Sequence, residues 1–190
     1  MTSLREGVII TSSYLTGEDP VRSERYDVHG IECKLKHGEF DYCQGLQDVW
    51  MTDKILVNVE HDMEFSDDLV DGLVNCPLPL CAYAYQVWPT ELQRWIYCAT
   101  SVKSNGNLSW LNKGDEWAYW SSIGFCKIAS SARVKPLDRL FWQYTEHSVN
   151  RVVGKYMDAG GAGNDWHIHW NDGIGIEHHH DYENVPDHLW

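Results

Sequence analysis

Two carboxylates one residue apart, Glu60 and Asp62, directly follow the apolar run Lys54-Ile55-Leu56-Val57-Asn58-Val59. Carboxylates held this close repel each other unless a cation sits between them, and oxygen ligands suit a hard divalent ion. The run in front reads as a strand buried on both faces. Ligands of open α/β sheets gather just beyond the carboxyl ends of such strands. The plainer alternative is an acidic turn ahead of the next helix, since Ser66-Asp67-Asp68 follows closely.

A second group of potential ligands lies near the C-terminus, where six of the ten histidines follow residue 166. Period two in a strand puts His167 and His169 on one face, and likewise His178 and His180. Imidazole suits Mn, Fe, Zn and Cu better than Mg or Ca. Taken with Glu60 and Asp62, the histidines point to a mixed carboxylate–imidazole site, and spacing leaves open which of them takes part. A surface cluster with incidental metal affinity is the competing reading. Cys76 and Cys81 form a C-x4-C pair around Pro77 and Pro79. That pair suggests zinc, but no second pair at zinc-ligand spacing completes a four-ligand set, so structural zinc is not expected.

The elements that must position these residues follow from pattern. Gly7–Leu15 reads as a first strand and Ile31–Leu35, which alternates, as a second. Phe40, Cys43, Leu46 and Trp50 form a helical stripe within Gly38–Thr52. After the Lys54–Val59 strand, Ser66 caps a helix carrying Leu69, Val70, Leu73 and Val74, which Pro77 and Pro79 stop. Leu80–Tyr85 returns as a strand, and the order β-α-β-α-β implies a parallel sheet with right-handed crossovers. Residues 86–118 are less regular and hold Trp88, Trp95, Trp110 and Trp117. Ser122–Ala129 is a further strand in which Gly124 permits close approach of a backbone or ligand. Pro136 opens a long helix to about Asp158, ended by Gly160–Gly163. Trp166–Trp170 and the following histidine run are strand-like.

This order of motifs resembles GT-A-type glycosyltransferases, which transfer sugars from nucleotide diphosphate donors. Ile55–Asp62 is similar to their strand ending in an acidic D-x-D-type motif, here Glu-x-Asp. The Ser66–Cys76 helix, the Cys81–Tyr85 strand and Gly124–Ile128 stand where that family places its next elements. The resemblance covers about half the chain. It implies an α/β fold, a Rossmann-like GT-A sandwich with a mostly parallel central sheet flanked by helices, as one domain over residues 1–190. It also implies a UDP- or GDP-sugar donor, an acceptor of unknown type, and Mn²⁺, or Mg²⁺ as second choice. Glu60 and Asp62, with His178 and His180, are then the expected metal ligands. Ser12 and Tyr14 at the end of the first strand, and Gly124, are expected with the two carboxylates at the donor. Asp138 and Glu146, in or near the long helix, are the candidate bases.

Composition sets the outer bounds. A formal charge of −13 with only 15 scattered Lys and Arg argues against a nucleic-acid partner. The hydrophobic content of 43% over 190 residues suits one folded domain. With no signal-like N-terminus and no apolar run of about 18 residues, a cytoplasmic protein with buried thiols is expected. Two other functions fit the same residues. A metal-dependent hydrolase would use the C-terminal histidine cluster, with Asp62, to activate water. A non-catalytic carbohydrate-binding module would rely on Trp110, Trp117 and Trp120.

Overall fold

The run that precedes Glu60 becomes a strand near the middle of a seven-stranded sheet, and both of its faces are covered. The computed structural model describes residues 4–34, 36, 38–63, 65–87, 92–102, 107–133, 135–137, 149–150, 152–153 and 166–170. In chain order the first half gives β1 (Val8–Leu15), β2 (Asp27–Cys33), α1 (Gly38–Trp50), β3 (Ile55–Val59), α2 (Asp67–Asn75) and β4 (Leu80–Tyr83). The second half is a series of short strands: β5 (Gln86–Val87), β6 (Ile96–Tyr97), β7 (Ala99–Val102), β8 (Leu108–Trp110), β9 (Trp117–Ala118) and β10 (Trp120–Ser121). β11 (Phe125–Ile128), a 3-10 turn at Ser130–Ala132 and β12 (Trp166–His169) complete it.

The main sheet has the order β2-β1-β3-β11-β4-β12-β9, with β10-β7-β8 and β5-β6 as two smaller sheets. β1 lies parallel to both β2 and β3. β11 inserts between β3 and β4 and is antiparallel to each. β12 runs parallel to β4 and antiparallel to β9.

Strand alternation divides the core between two faces. On one, Tyr42, Cys43, Leu46 and Trp50 of α1 pack on Ile9, Ile31 and Leu56. On the other, Leu69, Val70, Leu73 and Val74 of α2 pack on Val8, Ile10, Val57 and Val59. Each of these side chains contributes about 1.5–3 kcal/mol by leaving water. Asn58 is the polar exception inside β3, and it is only 1% exposed. Its amide donates to the Tyr42 hydroxyl and to the Ile123 carbonyl (2.7 Å) and accepts from Thr11 Oγ1 (2.8 Å). One buried side chain thereby fixes α1, β1 and the entry to β11 against β3.

The architecture corrects the expectation of a Rossmann-like GT-A sandwich with a mostly parallel sheet flanked by helices. Half of the pairings in the main sheet are antiparallel. Beyond β4 the described chain is mostly short strands rather than further helix–strand units. The physical reason is that an uninterrupted apolar run reports burial on both faces and carries no information on the direction of its neighbours. β11 lies between β3 and β4, antiparallel to both, where the β-α-β-α-β order implied a parallel sheet. Within the long helix expected from Pro136, residues 149–150 and 152–153 are helical, and much of the rest lies outside the described residues. Among the described residues no helix is long and apolar enough to cross a membrane.

Candidate functional site

Where β3 ends, the acidic turn is tied to the strands on both sides. The Glu60 N–H donates to the Gly124 carbonyl at 2.9 Å, ahead of β11, and the His61 N–H donates to Ser13 Oγ of β1 at 3.1 Å. Met63 N–H closes the turn on the Glu60 carbonyl at 3.0 Å. Asp62 is only 8% exposed. The Glu60 side chain faces the bare Cα of Gly124: a Cβ there would sit 2.9 Å from Glu60 Oε2 and 2.4 Å from the Tyr85 hydroxyl. That hydroxyl donates to Ser122 Oγ. Glu60, Tyr85, Ser122 and Gly124 thus meet at one end of the sheet because β11 runs between β3 and β4.

Ser12 is fully buried on β1, paired in register with Val59, and its Oγ has no hydrogen-bond partner among the described residues. Tyr14, two residues on, leans towards β2: its ring lies over Gly30, beside Pro20. Of the residues expected at the donor, Glu60, Asp62, Gly124 and Ser12 share one end of the sheet, and Tyr14 leans across β2. Asp138, Glu146, His178 and His180 lie outside the described residues. At the far end of the β3–α2 connection, a cavity of about 450 Å³ is lined by residues 21–25 with Phe65 and Asp67. It presents Arg22 and Arg25.

A second constellation lies across the sheet on the α2 face. Pro77 disfavours helical backbone at the residue before it, and Cys76 leaves the helix at φ −60° and ψ 128° as its C-cap. The chain then turns through Leu78 and Pro79 into β4, where Cys81 is buried. β12 lies beside β4 with His167 opposite Cys81 and His169 opposite Tyr83. The alternation that buries Trp166 and Ile168 on the α1 face turns both histidines towards the cysteines. The ligand atoms of Cys76, Cys81, His167 and His169 all lie within 4.8 Å of one another. The two sulfurs are 2.7 Å apart, and Cys76 Sγ is 3.6 Å from His167 Nδ1.

The surroundings are aromatic, and the cluster is partly open: Cys76, His167 and His169 are half-buried and Cys81 is buried. Trp117 meets His167 edge-on at 5.4 Å, and Tyr83 packs against His169 at 5.4 Å. Burial, then His167 and Lys127, pushes the His169 imidazole down to about 4, so it is neutral at ordinary pH. His169 Nε2 is buried without a hydrogen-bond partner among the described residues. Burial, then the contact with Cys76, pushes the Cys81 thiol up to about 12 against the opposing pull of Lys127. Lys127 is 2% exposed and donates to the Cys76 carbonyl at 2.5 Å. None of the six cysteines is in a disulfide.

Each half of this cluster is visible in the sequence, as C-x4-C and as His-x-His. What spacing omits is the pairing of β12 with β4, which joins segments far apart in the chain. Trp117, a candidate for stacking on sugar, is here a wall of the Cys/His cluster.

No family model and no curated protein matches this chain. Among solved structures it is similar to the crystal structure of A197 from STIV, with 12% identity over 75% of this chain and 77% of that one and a TM-score of 0.42.

Proposed function

We propose that the end of the sheet around Glu60 and Asp62 binds a nucleotide diphosphate sugar with a divalent cation and transfers the glycosyl group to an acceptor. The observation that supports this reading is the anchoring of the acidic turn from both sides, by Gly124 and by Ser13, with Gly124 lacking the side chain that would crowd Glu60. The donors there are carboxylate oxygens, the chemistry that Mn²⁺ and Mg²⁺ prefer. Glu60 and Asp62 belong to no group of three protein ligands among the described residues. A cation held by them keeps positions for diphosphate oxygens and water, the usual arrangement when a metal is shared with a phosphate substrate.

Bound there, a divalent ion supplies Lewis-acid stabilisation to a departing diphosphate. The chain's own part is to hold and orient. Asp62 and Glu60 fix the cation, and the bare Cα of Gly124 leaves the Glu60 carboxylate and the Tyr85 hydroxyl the space they occupy beside it. Arg22, at the cavity along the same connection, provides a cationic group for phosphate oxygens on an otherwise acidic protein, whereas Arg25 beside it is paired with Asp68 and Asp71. The absence of disulfides among the cysteines fits a reducing, cytoplasmic setting.

Calorimetric titration with UDP and GDP, with Mn²⁺ present and then omitted, tests the reading. Nucleotide binding that requires the added metal and is lost in Asp62→Asn, with the unfolding transition unchanged, is the expected result. Binding indifferent to Mn²⁺ or to Asp62→Asn removes the carboxylates from the site, and no binding of either nucleotide rejects the transferase.

A further inference from the structure

We propose that Cys76, Cys81, His167 and His169 bind one Zn²⁺ that fastens β12 to β4 and to the C-terminal end of α2. Two thiolates and two imidazoles are a complete tetrahedral zinc set. With Zn–S near 2.3 Å and Zn–N near 2.0–2.1 Å, ligand atoms in such a tetrahedron stand roughly 3.3–3.8 Å apart. The 3.6 Å between Cys76 Sγ and His167 Nδ1 already falls in that range. All four ligand atoms lie within 4.8 Å of one another. The sulfurs, at 2.7 Å, part by about 1 Å to take the ion between them.

Charge and surroundings favour the metal. Binding exchanges two thiol protons for Zn²⁺, and the resulting centre is formally neutral. The buried ammonium of Lys127 then faces thiolate sulfur rather than a protonated thiol. Rigid strands supply three of the ligands, and the Pro77-forced exit of α2 supplies the fourth. Because the protein fills all four positions, no place is left for an activated water. The centre is therefore structural, which sets it apart from a hydrolase built on the same histidines. It is also separate from the carboxylate end of the sheet, where the ligands are oxygens.

The test is metal content and cobalt spectroscopy on the full chain purified under reducing conditions with zinc supplied. We expect one zinc per chain. Exchange for Co²⁺ should give the visible bands of a tetrahedral ion and the near-ultraviolet charge transfer of cobalt–thiolate bonds. Cys81→Ser should lose zinc retention and the charge-transfer band, whereas Asp62→Asn should keep both. Should Cys81→Ser fail to fold, His167→Cys decides instead, since a third thiolate must strengthen the charge-transfer band. Sub-stoichiometric zinc in the reduced chain overturns the proposal, as do cobalt bands unchanged by His167→Cys. A Cys76–Cys81 disulfide under these conditions, seen as a loss of two hydrogens in the intact mass, overturns it as well.

Discussion

Adding one methyl group at Gly124 tests the packing and the proposed site together. An alanine Cβ there would lie 2.4 Å from the Tyr85 hydroxyl, 2.9 Å from Tyr85 Cζ and 2.9 Å from Glu60 Oε2. All three are closer than a side-chain carbon tolerates, so both neighbours must move. Tyr85 is 4% exposed and has little room. Its retreat costs about 1–3 kcal/mol of overpacking, and loss of its bond to Ser122 costs about 1 kcal/mol more. Reduced freedom of the unfolded chain returns about 0.4–1 kcal/mol. Gly124→Ala should therefore destabilise by roughly 1–3.6 kcal/mol, a fall in Tm of about 2–14 °C for a chain this size. Displacing Glu60 should weaken Mn²⁺-dependent nucleotide binding by about 10–100-fold, the usual cost of disturbing the support of a metal ligand. Urea unfolding and calorimetry read the two effects. In Gly124→Ala/Tyr85→Phe the closest contact is gone, so the double variant should recover at least about 1 kcal/mol relative to the sum of the singles. Nucleotide affinity should stay low, because Glu60 is still crowded. Stability within about 0.5 kcal/mol of the parent, with affinity unchanged, would refute the reasoning.

Two further predictions concern the frame around the sites. No basic residue lies in the last turn of α1, and Arg133 supplies the cation from afar. Its guanidinium donates to the Val49 carbonyl at 3.3 Å and to those of Trp50 and Lys54, and it stacks over Trp50 at 5.8 Å. Burial pushes this group down to about 10, still charged at neutral pH. Arg133→Met should cost about 2–4 kcal/mol in urea unfolding by stranding buried carbonyls; a loss below about 0.5 kcal/mol would mean that water replaces it. Asp71 accepts from Tyr26, Arg25 and Arg5, and the Tyr26 hydrogen bond, followed by the arginines, holds its carboxyl below the ordinary range despite burial. A depressed folded value means that the stabilisation is complete above the unfolded pKa of about 3.9 and is lost as pH falls through the folded value. Asp71→Asn should flatten the dependence of the urea midpoint on pH below about 4, and an unchanged slope would remove Asp71 from the acid response.

The sequence by itself determined the local elements and the chemistry of single segments. The β3 run, the stripe of α1, Ser66 as the cap of α2 (accepting from the Leu69 N–H at 3.4 Å) and the prolines that end that helix were all readable. These are short-range effects, set by periodicity and by backbone restrictions within a few residues. The Glu60–Asp62 turn, the C-x4-C pair and the His-x-His pair were legible in the same way, each as a fragment. Tertiary structure alone decided which fragments meet. Inserting β11 between β3 and β4 brought Gly124 and Tyr85 to Glu60 and made the sheet mixed. Pairing β12 with β4 brought His167 and His169 to Cys76 and Cys81, completing a ligand set that neither half announced. Strand neighbours are chosen by the shared burial of faces that lie far apart in the chain, and the spacing of residues within a strand carries no record of that choice.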